Sequence, residues 1–494
     1  MRLFLFSALL AVTDGFLAGA RSPSAHGPHL STPRLVGCDA NPAQLDKPLP
    51  IPASPPPRAA PVDAVGFSRA GLPVLALCCA IAAVCALDRV VLSIAIIPMA
   101  AEMGYSDSTK GLIASAFSLG YGLGLLPAGL LAALSSPRAV LGGGLFLWSA
   151  AQVATPIAAG SSLAALLCAR VVMGVGEAAA IPCIQSIAAN FVPSRYRSQF
   201  WGVLTASLAS GTISAYTLSP RLIDQFGWPS PFFAYGGVGC ALSVVWLLAG
   251  QSEPQSPEAC VPEACEVPAE DEPPSPWKRL NQVEWREFAQ SRPVWALAAG
   301  HSAANFYNYF ALAWLPTYFS YQFDLSTAES SSASLTPFVA GAVGGLSAGY
   351  ICDSVVNRTG ISLTRARKLM QTVAFVGPAA SLITLAVLGS GGGGMPFERE
   401  QAEALFVIGI GCQAFSAAGW GCAAQDISTR YASLLYGATS IFAVVTGASG
   451  QYFTGWLLEQ TSRDFTIMFA LTSAVELMGL CAFWAWWDSE RVFE

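Results

Sequence analysis

The chain reads as an all-α polytopic membrane protein, with about twelve transmembrane helices in two six-helix bundles. Three observations predict this. Of 494 residues, 53% are hydrophobic and only 11% are charged, less than half the roughly 25% charged share of a soluble domain. The mean hydropathy is +0.51. From residue 72 onward, apolar runs of about 20 residues alternate with short polar breaks, and a hydrocarbon core about 30 Å thick needs a helix of that length.

The order of elements follows from that alternation. Residues 1–68 form a targeting and disordered segment. Met1 and Arg2 precede an apolar run from Leu3 to Val12 that is too short to span a bilayer but suits a secretory signal, with Ala18-Gly19-Ala20 as a small-residue cleavage site. The stretch from Ser22 to Pro61 is rich in Pro, Ala and Ser, with several Arg and few acids. Together the two parts resemble the address of complex plastids, so a plastid membrane is expected. A plain signal peptide, with a secretory-pathway or plasma membrane as destination, is the alternative.

Spans are expected at 72–98, 111–134, 139–159, 163–190, 200–220 and 231–250, and again at 294–320, 333–352, 369–389, 403–425, 433–457 and 466–487. The first bundle is 69–250 and the second 294–494. Between them, 251–293 is an acidic, Pro-rich linker with Glu253, Glu258, Glu263, Glu266, Glu270, Asp271 and Glu272. It ends in a mixed basic and aromatic stretch, Trp277 to Gln290, that suits a short interfacial helix. Sidedness is independent of hydropathy. Loops on the side of the N-terminus hold Arg138, Arg195, Arg197, Lys278, Arg279, Arg286, Arg292, Arg358, Arg365, Arg367, Lys368 and Arg430, whereas the opposite loops hold Lys110, Arg221, Arg399 and Arg463. An even number of spans with both termini on the basic side satisfies the positive-inside rule.

Composition also excludes function classes. A net charge of -6 leaves no basic face for nucleic acid. The 13 cysteines are mostly scattered through apolar runs and behave as small hydrophobes. With three histidines, His26, His29 and His301, no clustered histidine metal site is available, and no cofactor is expected. No Ser-His-Asp or metal-ligand set falls on a shared membrane face, so an enzyme is not expected. The Gly391–Gly394 turn lacks the Lys-Ser/Thr that a phosphate-cradling loop needs.

Charged side chains inside spans are expensive, so each is a functional hypothesis. The first span holds Asp88 and Arg89, and the fourth holds Arg170 and Glu177. Seven residues are nearly two helical turns, so Arg170 and Glu177 share a face, with Gly174 between them expected to leave room beside the arginine. If both faces line a central cavity, Arg89 and Arg170 make a buried cationic site that a small anion can pair bidentately. Glu177 then binds and releases a proton or a sodium ion as the cavity changes sides. The alternative is structural: Arg170 and Glu177 tie neighbouring spans together. Asp88 reads as a structural partner.

In the second half, His301, Asn305, Tyr307, Asn308 and Tyr309 cluster at the start of the seventh span. Asn305 and Tyr309 share a face there and either line the site or bond between helices. Asp426 and Arg430, at i,i+4 spacing, read as a structural pair, and Glu476 has no assigned role. Small residues at Gly120–Gly124 and Gly345–Gly349, with Gly202 and Gly211, permit the close approach that two rocking bundles require.

These residues resemble the anion/cation symporter family of the major facilitator superfamily. Leu87-Asp88-Arg89 with Ser93-Ile94-Ala95-Ile96 is similar to its first-span signature. Ser108-Thr109-Lys110-Gly111-Leu112, Phe117, Gly120 and Tyr121 continue the likeness, as do Arg170 through Gly174 and Gly176-Glu177. Phe226-Gly227-Trp228-Pro229-Ser230 and Trp314-Leu315-Pro316-Thr317-Tyr318-Phe319 extend it, followed by Asp353, Arg365 to Gln371, and Asp426 with Arg430 to Ser433. The family includes plant plastid phosphate and ascorbate transporters, sialin and vesicular glutamate transporters. The resemblance implies transport of inorganic phosphate or an organic anion, driven by Na+, H+ or membrane potential. It places Arg89, Arg170 and Glu177 at functional positions, with Tyr121, Asn305 and Tyr309 as further lining residues. Arg138, Asp353, Asp426 and Arg430 would serve gating or structure. Ala133 and Leu134 stand where the family's acid–arginine pair is usual, and Ala304 where a basic residue is common. The expected protein is a monomeric carrier working by alternating access on a small anion within the bilayer. An organic-anion carrier, or a membrane anion sensor that does not transport, are the alternatives.

Overall fold

The computed structural model describes residues 71–192, 197–250, 285–389, 397–427 and 432–489, and among these the secondary structure is helical. The targeting segment, most of the acidic linker, the Gly391–Gly394 turn, Arg195 and Arg430 lie outside the described residues, as do the side chains of Ala133 and Leu134. Val65–Glu494 forms one compact unit.

The first half comprises α1 (Leu72–Met103), α2 (Asp107–Leu134), α3 (Pro137–Ser161), α4 (Leu163–Glu177) with α5 (Ala180–Phe191), α6 (Arg197–Phe226) and α7 (Ser230–Ala249). A short α8 (Trp285–Gln290) is the described part of the expected interfacial helix. The second half comprises α9 (Arg292–Phe323), α10 (Thr327–Thr359), α11 (Leu363–Gly389), α12 (Arg399–Gln413) with α13 (Trp420–Ile427), α14 (Ala432–Gln460) and α15 (Thr466–Trp486). Counting α4–α5 and α12–α13 as one rod each gives six rods per half among the described residues.

Among the described residues, nine of the rods are long and apolar enough to cross a membrane. The other three, α6, α9 and α14, run for 30, 32 and 29 residues. α9 packs on α14 and α1, α14 packs on α2, and α6 packs on α1 and α10. Most rods also outrun the expected apolar segments. α2 begins at Asp107 rather than 111 because the Ser106 hydroxyl caps the Thr109 N–H at 3.3 Å, with an acid in the first turn.

The fourth and tenth spans are both broken near mid-length, for different reasons. After Glu177 the helix stops for two residues, and Pro182 at the start of α5 has no N–H to offer Ala178. In the tenth span a 3-10 turn, Ala414–Ala417, separates α12 from α13. There the Gln371 side chain of α11 inserts and accepts the Trp420 N–H at 2.9 Å. A Cβ at 419 would lie 2.2 Å from Gln371 Oε1, so a larger residue there would push the inserted glutamine aside.

The halves meet along α2–α14 and α6–α10. The α2–α14 contact is tightest on the side opposite the basic loops. A Cβ on Gly111 would sit 2.9 Å from the Gln451 carbonyl and one on Gly455 2.2 Å from the Asp107 carbonyl. The last close approach is Gly122 to Val444; nearer the basic side, Gly129 and Gly437 meet nothing within 4 Å. Asp107 pairs with Lys110 at 2.8 Å and Arg463 at 3.4 Å and accepts from Tyr321 at 2.6 Å, while Ser108 N–H donates to Glu459. Tyr216 stacks on Phe338 at 5.4 Å between α6 and α10. The molecule is therefore shut on the side opposite the basic loops.

The small residues act differently from expectation. Gly120 and Gly124 of α2 press on Val171 and Val175 of α4, and Gly211 of α6 presses on Ala83 of α1, so they close helices within one half. Gly202 and Gly349 touch nothing within 4 Å. The glycines that join the halves are Gly111, Gly122 and Gly455.

Candidate functional site

The site grows from the middle of α1. Asp88 is fully buried and points into the first bundle, where Trp148 Nε1 and Gln152 Nε2 of α3 each donate to its carboxylate at 3.3 Å. Arg89, one residue on, faces the other way, toward the boundary between the halves. Its side chain is 27% exposed, and its guanidinium bonds the Oε1 of Glu177, whose side chain is 0% exposed. Cys85, one turn below, donates its thiol to the same oxygen at 3.2 Å.

Arg170 and Glu177, on one face of the fourth span, serve different neighbours. Arg170 and Glu177 do not face each other as partners. Glu177 takes Arg89, while Arg170, 1% exposed, reaches Gln152 Oε1 at 3.4 Å and the Met173 sulfur at 3.1 Å, leaving its Nε without a partner. Gln152 thus stands between Asp88 and Arg170, donating to one and accepting from the other. Nor does Gly174 leave room for the arginine. Its missing side chain lets the α2 backbone in, and a Cβ there would lie 2.2 Å from the Phe117 carbonyl and 2.5 Å from the Tyr121 N–H.

Phe117 is the side chain that residue-by-residue reading missed as a binding element. Both guanidiniums lie 5.4 Å from its ring centroid, and Arg89 is also 5.0 Å from the Tyr121 ring. An aromatic face desolvates a guanidinium while repaying part of the cost through its quadrupole. Four ionisable groups, Asp88, Arg89, Arg170 and Glu177, therefore sum to zero when all are charged. The cationic site is internally compensated in this conformation and not bare.

A cavity of about 40 Å³ opens beside Arg89 at the boundary between the halves, lined from the first half by Arg89, Ser93, Lys110, Phe117, Ser118 and Arg170 and from the second by Tyr309, Trp314, Thr317 and Gln451. Ser118 donates to Gln451 Oε1 at 2.7 Å, and Trp314 Nε1 to the Gln451 carbonyl at 3.1 Å. The Tyr309 ring occupies the space left by Gly447, where a Cβ would come within 2.4 Å. Asn305 is half-buried and does not line this cavity. Lys110, Trp314, Thr317 and Gln451 were not among the expected lining residues, because nothing in a single helix marks which face meets the other half.

The gating candidates divide. Arg138 donates to the Leu247 carbonyl, and Trp246 Nε1 donates to the Arg138 carbonyl, tying α3 to α7. Asp353 is exposed near the basic-side end of α10. Asp426 is held by Arg367 of α11, on another span, at 2.8 and 3.2 Å. Arg430, the expected partner, lies outside the described residues. His301 is buried in the second bundle, stacked on Trp420 at 3.9 Å and bonded to Thr439 at 3.2 Å.

Two helical halves with a polar, guanidinium-bearing cavity between them, shut at one side, define a polytopic membrane carrier. Residues 78–448 match the model of the Major Facilitator Superfamily, and the chain belongs to that family. It is 35% identical over 81% of its length to a chloroplastic sodium-dependent phosphate transport protein 1 of Arabidopsis thaliana, covering 76% of that protein. It is 32% identical, over 85% of its length and 75% of the relative, to a chloroplastic ascorbate transporter of the same plant. A probable anion transporter 4, chloroplastic, of Oryza sativa subsp. japonica is 32% identical over 83% of this chain and 67% of that one. Among solved structures, a bacterial homologue of the human lysosomal transporter Spinster, inward-facing and unoccupied, superposes with a TM-score of 0.64 at 16% identity, covering 85% of this chain and 96% of that one. A D-xylose-proton symporter gives 0.62 at 12% identity, over 85% and 99%. These two likenesses show the fold. The chain is a multi-pass membrane transport protein of this superfamily.

Proposed function

We propose that this protein carries inorganic phosphate or a small organic anion across a plastid membrane, by alternating access of the cavity between residues 69–250 and 294–494. The Arg89–Glu177 pair at the cavity wall carries the reading. Arg89 can satisfy Glu177 or an incoming anion, and a bidentate anion competes well for a guanidinium. Once Arg89 turns to the anion, Glu177 would be left as a buried carboxylate without a cation, which is costly. It then needs a proton or a sodium ion. Anion and cation therefore bind together, and the pair recloses when both leave. Arg170 adds positive potential from behind Phe117 without contributing a free fork, and Tyr121 and Tyr309 flank the guest. The protein acts as a monomer, needs no cofactor beyond the coupling ion, and performs no covalent chemistry. The names of the plastid relatives support phosphate as the first substrate to test, ascorbate as the second, and the plastid as the destination.

The deciding experiment is uptake of radiolabelled phosphate into proteoliposomes, competed by ascorbate, glutamate and sialic acid, with sodium or proton gradients imposed in turn. Phosphate uptake blocked only by excess phosphate selects the phosphate reading, while stronger competition by an organic anion selects that class. Binding without counterflow would make the protein a sensor and end the transport reading. Arg170→Ala should lower flux of the accepted anion; unchanged flux removes Arg170 from the mechanism. A fluorescent fusion of residues 1–70 retained in the secretory pathway would refute the plastid destination.

A further inference from the structure

The second bundle has its own buried acid, and the anion site does not use it. Glu476 lies near the middle of α15 with 0% exposure. Gln413, the last residue of α12 before the break in the tenth span, sets its side-chain amide 3.2 Å from Glu476 Oε1; with the amide assigned so that its NH2 faces the carboxyl, it donates to Glu476 Oε1 and to the Ala374 carbonyl of α11. The other carboxyl oxygen, Oε2, is buried with no partner. So is the hydroxyl of Tyr307, near the middle of α9, which occupies the space over Gly409, where a Cβ would lie 2.8 Å from it. The titratable groups that α9 and α12 bring to this cluster are Tyr307 and Cys412. α11 faces α15 here with Ala374, Phe375 and Ala379. No ion pair among the described residues includes Glu476.

An ionised carboxylate sealed at mid-membrane without a cation would cost several kcal/mol. A neutral carboxylic acid needs only one acceptor for its O–H and one donor to its carbonyl, and Gln413 supplies the donor. We propose that Glu476 is a second proton-binding site of the carrier, loaded while the tenth span is broken as seen here. Water reaches it when the Ala414–Ala417 turn rearranges. Phe415 and Ala417 of that turn are already partly exposed, whereas Gln413, next to them, covers the carboxyl. Rocking of the halves that moves the turn would swing Gln413 aside, let the acid exchange its proton with water, and so tie protonation to conformation. The step is a proton transfer alone: the carboxylate gains H+ from water on one side and returns it on the other.

Two arms test this. The flux arm rests on the transport reading; the spectroscopic arm does not. In acid-minus-alkaline infrared spectra of the purified full-length protein, subtracting the E476Q spectrum from that of wild type should leave one carboxylic C=O band over and above those of Glu177 and the other titrating acids. A flat wild-type-minus-E476Q difference in the C=O region would overturn the assignment. In proteoliposomes, E476Q should keep phosphate exchange at equal pH within about twofold yet lose proton-driven accumulation by about tenfold or more. A wild-type response to the pH gradient would refute the proposal, and so would loss of sodium dependence with the pH response intact. Should E476Q fail to fold, Gln413→Leu keeps the acid and removes its donor. The infrared titration midpoint must then move, and an unmoved midpoint counts against the site. Failure of Arg170→Ala to affect flux would sink the anion site while leaving the infrared result readable.

Discussion

The two halves repeat one architecture and treat buried charge in opposite ways. In the first, two acids and two arginines meet within one bundle, and each acid has a donor: Asp88 takes Trp148 and Gln152, and Glu177 takes Arg89 and Cys85. In the second, Glu476 stands without a cation and has an amide for company. The breaks differ likewise, one following from a proline in the chain and the other from a glutamine inserted from α11. A fold that repeats itself constrains where helices go and leaves the charge chemistry of each copy free to diverge. Here the half with paired charges faces the cavity, and the half with the lone acid keeps it behind the helices that line the boundary.

The comparison can be broken most severely at the helix contacts that both halves share. A side chain at Gly174 would collide with the α2 backbone at 2.2 Å, and one at Gly344 with the Gly411 carbonyl at 2.5 Å. Gly174→Val and Gly344→Val should both fail to give folded protein by size-exclusion profile, while Gly129→Ala and Gly349→Ala, in open space, should stay within about 0.5 kcal/mol of wild type in thermal melts. Next in size, Arg89→Ala should abolish anion uptake and destabilise the protein by roughly 3–5 kcal/mol, the cost of stranding a buried partner. Adding Glu177→Gln should restore the melting temperature but not the uptake, which separates pairing from binding.

A smaller effect tests the asymmetry directly. Gln152→Leu removes a bridge between two charged groups and should cost about 1.5–3 kcal/mol, whereas Gln413→Leu, beside a neutral acid, should cost about 0.5–1.5. Equal losses in denaturant titrations would argue that Glu476 is ionised. Least of all, Arg463→Ala should change stability by no more than about 1 kcal/mol, since the arginine is largely exposed. It should still raise the rate at which a thiol introduced at Ser118 reacts from the side opposite the basic loops. An unchanged rate would mean that the Asp107 cluster does not hold that side shut.

Much of this was legible from residues alone. Run length gave six rods in each half, and Asp88, Arg89, Arg170 and Glu177 stood out because charge inside an apolar run is costly. Their partners did not. Helical spacing put Arg170 and Glu177 on one face, yet a face seven residues long can serve two different neighbours, and it does. Asp426 takes Arg367 from another helix, a partner that no spacing along the chain indicates. Glycine spacing predicted close approach at Gly120, Gly124 and Gly211 but not its absence at Gly202 and Gly349, nor between which helices it occurs. Phe117 carried no local mark, because an aromatic in a span is ordinary until two guanidiniums are found on its faces.

What the sequence determined by itself is whatever depends on one segment meeting one solvent: the number and length of the rods, the side on which basic loops lie, and which positions bear charge the bilayer disfavours. Those follow from hydrophobic and dielectric costs that act along the chain. Tertiary structure alone decided which acid meets which arginine, which glycines join the halves, and which carboxyl is left without a counter-ion. Those depend on distances between residues far apart in sequence, and a low-dielectric interior makes a few ångströms of placement decide whether a charge is paired, shielded by a ring, or kept neutral.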